Sequence, residues 1–124
     1  IDLLLNTAGL EFRIMTASTS QNLVFDKTEV DTHLKGKGGI ADYLVKRWET
    51  FDRDWQETDK EKKHWVMWDV AAVLAIAAPD LATASSFKTP HDNLDRQIGV
   101  FTNINVEGMK ERYWELFDEY QSRR

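Results

Sequence analysis

The hydrophobic positions of this sequence follow two periods, and each period predicts a different kind of element. Helical spacing runs through residues 38–55, where the apolar side chains are Ile40, Tyr43, Leu44, Trp48, Phe51 and Trp55. Strand-like alternation runs through residues 98–106, where the alternating positions are Val100, Thr102, Ile104 and Val106. The chain is therefore expected to contain both helices and strands.

Signals at the ends of segments predict the other elements. Asp26 and Glu29 have capping-box spacing at the start of a short helix, and Gly36 ends it. The nearly pure apolar stretch over residues 66–78 predicts a helix that Pro79 stops. The same rules assign a helix end closing at Gly9, strands over 10–17 and 82–90, a turn over 91–97 and a final helix over 107–124.

The order of these predicted elements is helix, strand, helix, helix, helix, strand, strand, helix, which indicates an α/β layout. The predicted strands make a small sheet for so many helices. Two explanations fit this imbalance: a small α+β domain, or a sheet whose remaining strands lie in a segment absent from this sequence. The 124 residues have the length of one domain.

Composition and charge argue against several classes of protein. The sequence contains 16 Lys and Arg and 21 Asp and Glu, for a net charge of −5. The basic residues are scattered along the chain, which argues against nucleic acid as a partner. There is no Cys, so no disulfide framework or Cys-based zinc site is expected. The lack of Cys does not determine the cellular compartment, because exported proteins can also lack Cys. The apolar run Val70 to Pro79 is about half of what a membrane span needs, so we expect a soluble protein without a membrane partner.

The start of the sequence leaves the origin of the chain open. The first residue is Ile1 rather than Met, and no basic-then-apolar leader precedes it. Three origins fit: a processed protein, a trimmed protein or a piece of something longer.

Trp68 and Asp69 are the candidates for chemistry, because they lie side by side where the apolar helix begins. The simpler interpretation of Asp69 is a residue that caps or charges the first helical turn. Its functional interpretation is an oxygen ligand for Ca²⁺ or Mg²⁺, although Ca²⁺ takes about six to eight oxygens and the partners would come from elsewhere. Trp68 is either a core or interface residue, or a ring that stacks on a flat ligand such as a nucleobase.

The other reactive side chains form no recognisable motif. His33, His64 and His91 are too scattered for a zinc site, and we interpret them as surface or capping residues. No nucleophile elbow, dinucleotide-binding loop or Walker loop is present in the sequence. The densely charged residues 53–63 have little apolar area with which to anchor themselves, so we expect them to be mobile.

The stretch WVMWDVAAVLAIAAPDL, residues 65–81, resembles the nucleoside hydrolases, the family of inosine-uridine preferring nucleoside N-ribohydrolases. In that family an apolar helix in the C-terminal third begins with His-Asp, or with Trp-Asp in some purine-preferring members, and ends at a boundary similar to Pro79-Asp80. Residues 6–25, 26–48 and 98–117 look like the family's preceding strand, its helix pair and its final strand and helix.

The resemblance implies a calcium-dependent hydrolase that cleaves the N-glycosidic bond of ribonucleosides. It implies that Asp69 is a Ca²⁺ ligand and that Trp68 lies at the base side of the substrate. A Trp there favours purines modestly, because cation–π attraction to a protonated base is worth about 1 kcal/mol. The family's other Ca²⁺ ligands and its general base belong to an N-terminal D-x-D-x-x-x-D-D motif that this sequence lacks, so no catalytic residue is assigned in this chain.

We therefore predict that residues 1–124 are a single partial domain, the C-terminal part of a nucleoside-hydrolase-like open sheet flanked by helices. The expected partners are a nucleoside substrate and the N-terminal part of the same enzyme. The sequence does not decide whether the protein also forms a homo-oligomer. The chain alone is expected to be inactive. Two alternatives are a non-catalytic ligand-binding relative whose metal site has decayed and a free-standing α+β interaction domain.

Overall fold

The computed structural model describes residues 2–51 and 59–123. The helices of this part are α1 (Asp2–Leu5), α2 (Ala17–Ser20), α3 (Lys27–Leu34), α4 (Gly39–Thr50), α5 (Trp68–Ala77) and α6 (Val106–Ser122). The strands are β1 (Arg13–Met15), β2 (Val24–Asp26), β3 (His64–Val66), β4 (Ala82–Lys88) and β5 (Gln97–Ile104). Short 3-10 turns cover Pro79–Leu81 and His91–Asn93. The predicted mixture of helices and strands is confirmed.

The larger sheet has the strand order β1-β5-β4. Strands β4 and β5 form the predicted antiparallel hairpin, with Ser85 opposite Val100 and a register shift between Thr83 and Ala84. Strand β1 lies parallel to β5 on its other side, and Ile14 pairs with the same Val100. The parallel pairing joins segments more than 80 residues apart, so it depends on the helices that connect them.

A second, two-stranded sheet pairs β2 with β3 in antiparallel register, with Phe25 opposite Trp65. The sequence pattern does not predict these strands, because three residues are too few to show strand-like alternation. This small sheet places Phe25 in the core and leads the chain directly into α5.

The predicted helix boundaries are largely confirmed. The side chain of Asp26 accepts a hydrogen bond from the backbone N–H of Glu29 at 2.8 Å, so Asp26 caps α3 as its spacing predicts. Helix α4 covers most of the predicted amphipathic stretch, and α5 ends at Ala77, just before Pro79. Helix α6 begins after Asn105, whose side-chain oxygen accepts the N–H of Gly108 at 3.0 Å.

The cap of α6 gives a stability prediction. We expect Asn105→Ala to lower the free energy of unfolding by about 1 kcal/mol, since it leaves the Gly108 N–H without its side-chain acceptor. Asn105→Ser should recover most of the loss, because Ser also caps helices. Asn103→Ala is the matched control, since Asn103 is exposed on β5. Urea denaturation measures all four proteins, and equal losses for both alanine variants would contradict a capping role.

The core lies where α3, α4, α5 and α6 meet the small sheet. Its fully buried side chains include Leu23, Phe25 and Met109. The ring of Phe25 lies 5.1 Å from that of Tyr113 and 5.3 Å from that of Trp114, measured between ring centroids. Strand β2 is therefore held against α6 chiefly by aromatic packing.

A polar contact also joins α3 to α6. The carboxylate of Glu29 accepts hydrogen bonds from Nε1 of Trp114 at 2.7 Å and from Nζ of Lys110 at 2.9 Å. All three side chains are largely removed from solvent, which strengthens such charge-assisted bonds. Because Glu29 lies in the first turn of α3, this contact fixes that turn relative to α6. Across residues 2–51 and 59–123, no helix has both the length and the apolar character that crossing a membrane requires.

Candidate functional site

Helix α5 places Trp68 and Asp69 at its first two positions. The preceding residue, Met67, donates its backbone N–H to the carbonyl of Leu23 at 2.8 Å, which anchors the helix start to the core. Ala71 and other small or apolar residues then bury one side of the helix. The start of α5 is thus held by backbone contacts, while its first two side chains reach the surface.

Asp69 does not cap its helix. The capping position belongs to Met67, which makes no side-chain capping bond, and Asp69 is the second residue of α5. Its side chain is exposed and has no hydrogen bond or ion pair with any residue in the described ranges. The interpretation of Asp69 as a capping residue is therefore wrong, whereas its charge still lies in the first turn, where the helix dipole favours an anion.

Trp68 is unusually open for its residue type. Its side chain is 39% exposed, and no aromatic ring of the described residues stacks on it. Trp residues more often fill cores or interfaces than stand at a free surface. The indole of Trp68 is therefore accessible to a ligand or to another protein surface beside Asp69.

Asp69 borders a shallow groove between α5 and α6. The groove has a volume of about 380 Å³, and its walls are almost entirely apolar. Val73 of α5 and Tyr113, Phe117 and Tyr120 of α6 contribute to these walls. A single carboxylate thus lies at the edge of an aromatic and aliphatic surface.

The described residues do not form a metal site by themselves. No group of three or more His, Asp or Glu side chains comes together within residues 2–51 and 59–123. Asp69, exposed and unpaired in that part of the chain, fits the role of one oxygen ligand for Ca²⁺. Since Ca²⁺ takes about six to eight oxygens, a complete site would need ligands from outside these residues.

The three histidines lie in three separate places, where His33 contacts Trp114, His64 lies near Asp59 and His91 contacts Asp95. His33 is partly buried in the last turn of α3 and stacks on Trp114, with 4.2 Å between ring centroids and 5° between ring planes. His91 is exposed, and its Nδ1 lies 2.6 Å from a carboxylate oxygen of Asp95. That contact, with a further one from Lys88, lowers the pKa of Asp95. These contacts create no common histidine site.

The charged stretch before α5 is partly described. Residues 53–58, for which mobility is expected, lie outside the described residues. At the following turn, the carboxylate of Asp59 accepts the backbone N–H of His64 at 2.7 Å and that of Lys63 at 3.0 Å. These bonds stabilise the ionised form and lower the pKa of Asp59. The chain is therefore hydrogen-bonded from Asp59 onward, and mobility of the preceding residues stays a prediction.

The structure also contains a cavity that sequence reasoning does not identify. It lies between α4, α6 and the small sheet, and has a volume of about 320 Å³. Its aromatic lining includes Trp48, Trp65, Tyr113 and Trp114, and Arg47 contributes a charge. We call it the aromatic cavity. The only sequence signal is the density of aromatic residues on α4 and α6, which by itself indicates a core.

No protein-family model, curated protein or solved structure matches this chain. The functional assignment therefore depends on the resemblance of residues 65–81 and on the geometry of Trp68 and Asp69.

Proposed function

We propose that this chain is the C-terminal part of a calcium-dependent hydrolase that cleaves the N-glycosidic bond of ribonucleosides. Asp69 would contribute one Ca²⁺ ligand, and Trp68 would border the nucleobase. The remaining ligands and the general base would come from an N-terminal part of the same enzyme. The fold would then be the C-terminal section of a nucleoside-hydrolase-like open sheet, of which β1, β5 and β4 form one end.

The observation that carries this proposal is the state of the Asp69 carboxylate. It is exposed, it does not cap α5, and within the described ranges it has no polar partner. An Asp at the capping position accepts a backbone N–H, as Asp26 does for α3, whereas Asp69 lies two residues after the capping position and makes no such bond. A carboxylate that is exposed and has no polar partner among the described residues is accessible to a cation, and both conditions hold for Asp69.

Each side chain of the pair has a distinct role in this reaction. When bound, Ca²⁺ supplies electrostatic stabilisation and acidifies water, which suits a reaction that passes through an oxocarbenium-like state. Asp69 would hold the ion at the start of α5, where the backbone anchor on Leu23 fixes its position. Trp68 would present its exposed face to the base, and stacking favours a purine that becomes protonated as it leaves.

The exposed apolar surface of α5 is relevant to the two alternatives, a non-catalytic ligand-binding relative and a free-standing interaction domain. Val73 and Ile76 are 63% and 71% exposed on a helix that is apolar on every side. Helices of this kind are normally buried on all sides. This exposure supports a further surface that covers α5, which is either another part of the same protein or the partner of an interaction domain.

Activity measurements test the proposal. We expect the 124 residues alone to show no hydrolysis of inosine or guanosine with added Ca²⁺, because the base and most metal ligands are missing. The same residues joined to their N-terminal part should turn over both nucleosides, and removing Ca²⁺ with a chelator should abolish that turnover. Ribose release and the change in purine absorbance report the reaction.

The opposite outcomes identify which part of the proposal fails. Robust turnover by the 124 residues alone would contradict the assignment of the base to another segment. A complete protein that binds Ca²⁺ without hydrolysing nucleosides would favour the non-catalytic relative. A complete protein that does neither would favour the interaction domain.

A further inference from the structure

The aromatic cavity is a second candidate site, which shares Tyr113 with the groove beside Asp69 and otherwise has a different lining. Its floor is formed by core residues such as Phe25 and Trp114, and its outer edge by Tyr43 and Arg47, both of which are exposed. Its volume of about 320 Å³ is near the lower end of the range for small-molecule pockets. We propose that this cavity binds a small planar molecule that carries a carboxylate, such as an aryl carboxylate.

Two groups of aromatic rings line the cavity. In the first, Trp65 lies 4.8 Å from Trp48 and 5.8 Å from Phe51, between ring centroids. In the second, Tyr113 lies 5.1 Å from Phe25 and 4.8 Å from Trp114. Ring faces and edges on both groups favour a flat, unsaturated ligand, because such a ligand gains stacking and edge contacts that a branched aliphatic chain does not.

The charge at the cavity selects for an anion. Arg47 is the one charged side chain among the described residues of the lining. Its guanidinium lies 5.4 Å from the ring centroid of Phe51 and makes no hydrogen bond or ion pair with the described residues. A planar guanidinium held over an aromatic ring presents its N–H groups in a geometry that matches a carboxylate.

A second polar side chain of the lining, Tyr113, belongs to α6 rather than to α4. The Tyr113 hydroxyl has no hydrogen-bond partner within the described ranges, and burial raises the pKa of Tyr113, which keeps the hydroxyl protonated. The other described residues of the lining offer almost no hydrogen-bonding atoms. A ribose would lose its bonds to water there without replacement, so the cavity suits an aryl carboxylate better than a nucleoside. This inference does not depend on the proposed function.

The test uses 2-naphthoate as the probe and the 124-residue chain as the protein, with isothermal titration calorimetry as the measurement. We expect saturable binding at one site. Arg47→Gln should weaken binding about tenfold, because it removes a charged hydrogen-bond partner. Arg13→Gln is the matched control, since Arg13 lies on β1 outside the cavity lining, and it should bind as the wild type does.

Two further measurements locate the site. The neutral analogue 2-naphthalenemethanol should bind more weakly than 2-naphthoate, with the same affinity for wild type and Arg47→Gln. Leu44→Trp adds volume at a partly buried position of the lining and should abolish binding of both compounds. Each protein is first shown to unfold cooperatively on heating. Absence of saturable binding by the folded wild type, equal affinity in Arg47→Gln, or full binding in Leu44→Trp would each overturn the proposal.

Discussion

Under the proposed function, Asp69→Asn in the complete protein is expected to lower Ca²⁺ affinity and nucleoside turnover by more than about 100-fold, since loss of even outer-shell partners at metal sites costs about 10- to 100-fold. The substitution keeps the size of the side chain but removes its negative charge. Without metal, the melting temperature should barely move, because the Asp69 side chain makes no polar contact with the described residues and only a dipole contribution of about 0.3–1 kcal/mol is lost.

Ca²⁺ titration calorimetry and thermal melts without metal measure these two effects separately. Asp80→Asn is the matched control, because Asp80 is also exposed and lies in the first turn of the 3-10 segment at the other end of α5. It should leave Ca²⁺ affinity and turnover unchanged. Unchanged Ca²⁺ affinity in Asp69→Asn would return Asp69 to a purely electrostatic role at the helix start, and the nucleoside hydrolase proposal would lose its main support.

Phe25→Ala is expected to lower the free energy of unfolding by about 3–5 kcal/mol, the usual range for removing a buried aromatic ring. Phe25 has no exposed surface, and its ring contacts Tyr113 and Trp114 of α6. The loss should fall toward the upper end of that range, because Phe25 also lines the aromatic cavity and its removal enlarges an existing space. Urea denaturation of the 124-residue chain measures the effect.

Phe87→Ala provides the matched control for this core prediction. Phe87 lies on β4 and is 49% exposed, so its truncation removes little buried area. We expect a change within about 0.5 kcal/mol, as is usual for surface substitutions. Similar losses for the two variants would show that the small sheet is not the centre of the core.

Local sequence signals determined most helices and the β4–β5 hairpin. Asp26 and Glu29 identify the start of α3, and Pro79 the end of α5, because capping and the missing proline N–H act within a few residues. The hairpin follows from alternation and a turn-rich connection, which are also local. Such features depend on neighbouring residues alone, so the sequence contains what is needed to predict them.

Only the tertiary structure decided the features that join distant segments. The pairing of β2 with β3 brings Phe25 opposite Trp65, and each strand is too short to leave a pattern in the sequence. Likewise, aromatic residues on α4 and α6 have the spacing of ordinary core helices, and the space left between Trp48 and Trp114 depends on how those helices pack.

Asp69 is a residue for which the sequence determined the position and the tertiary structure determined the contacts. The sequence by itself placed this carboxylate beside Trp68 at the start of an apolar helix, because the hydrophobic run and Pro79 set the helix length. It did not distinguish a cap from an unpaired ligand, since both have the same residue type at nearly the same position. In the structure the capping position is Met67 and α5 begins at Trp68, so Asp69 is the second helical residue; its exposed side chain accepts no backbone N–H and does not act as a cap.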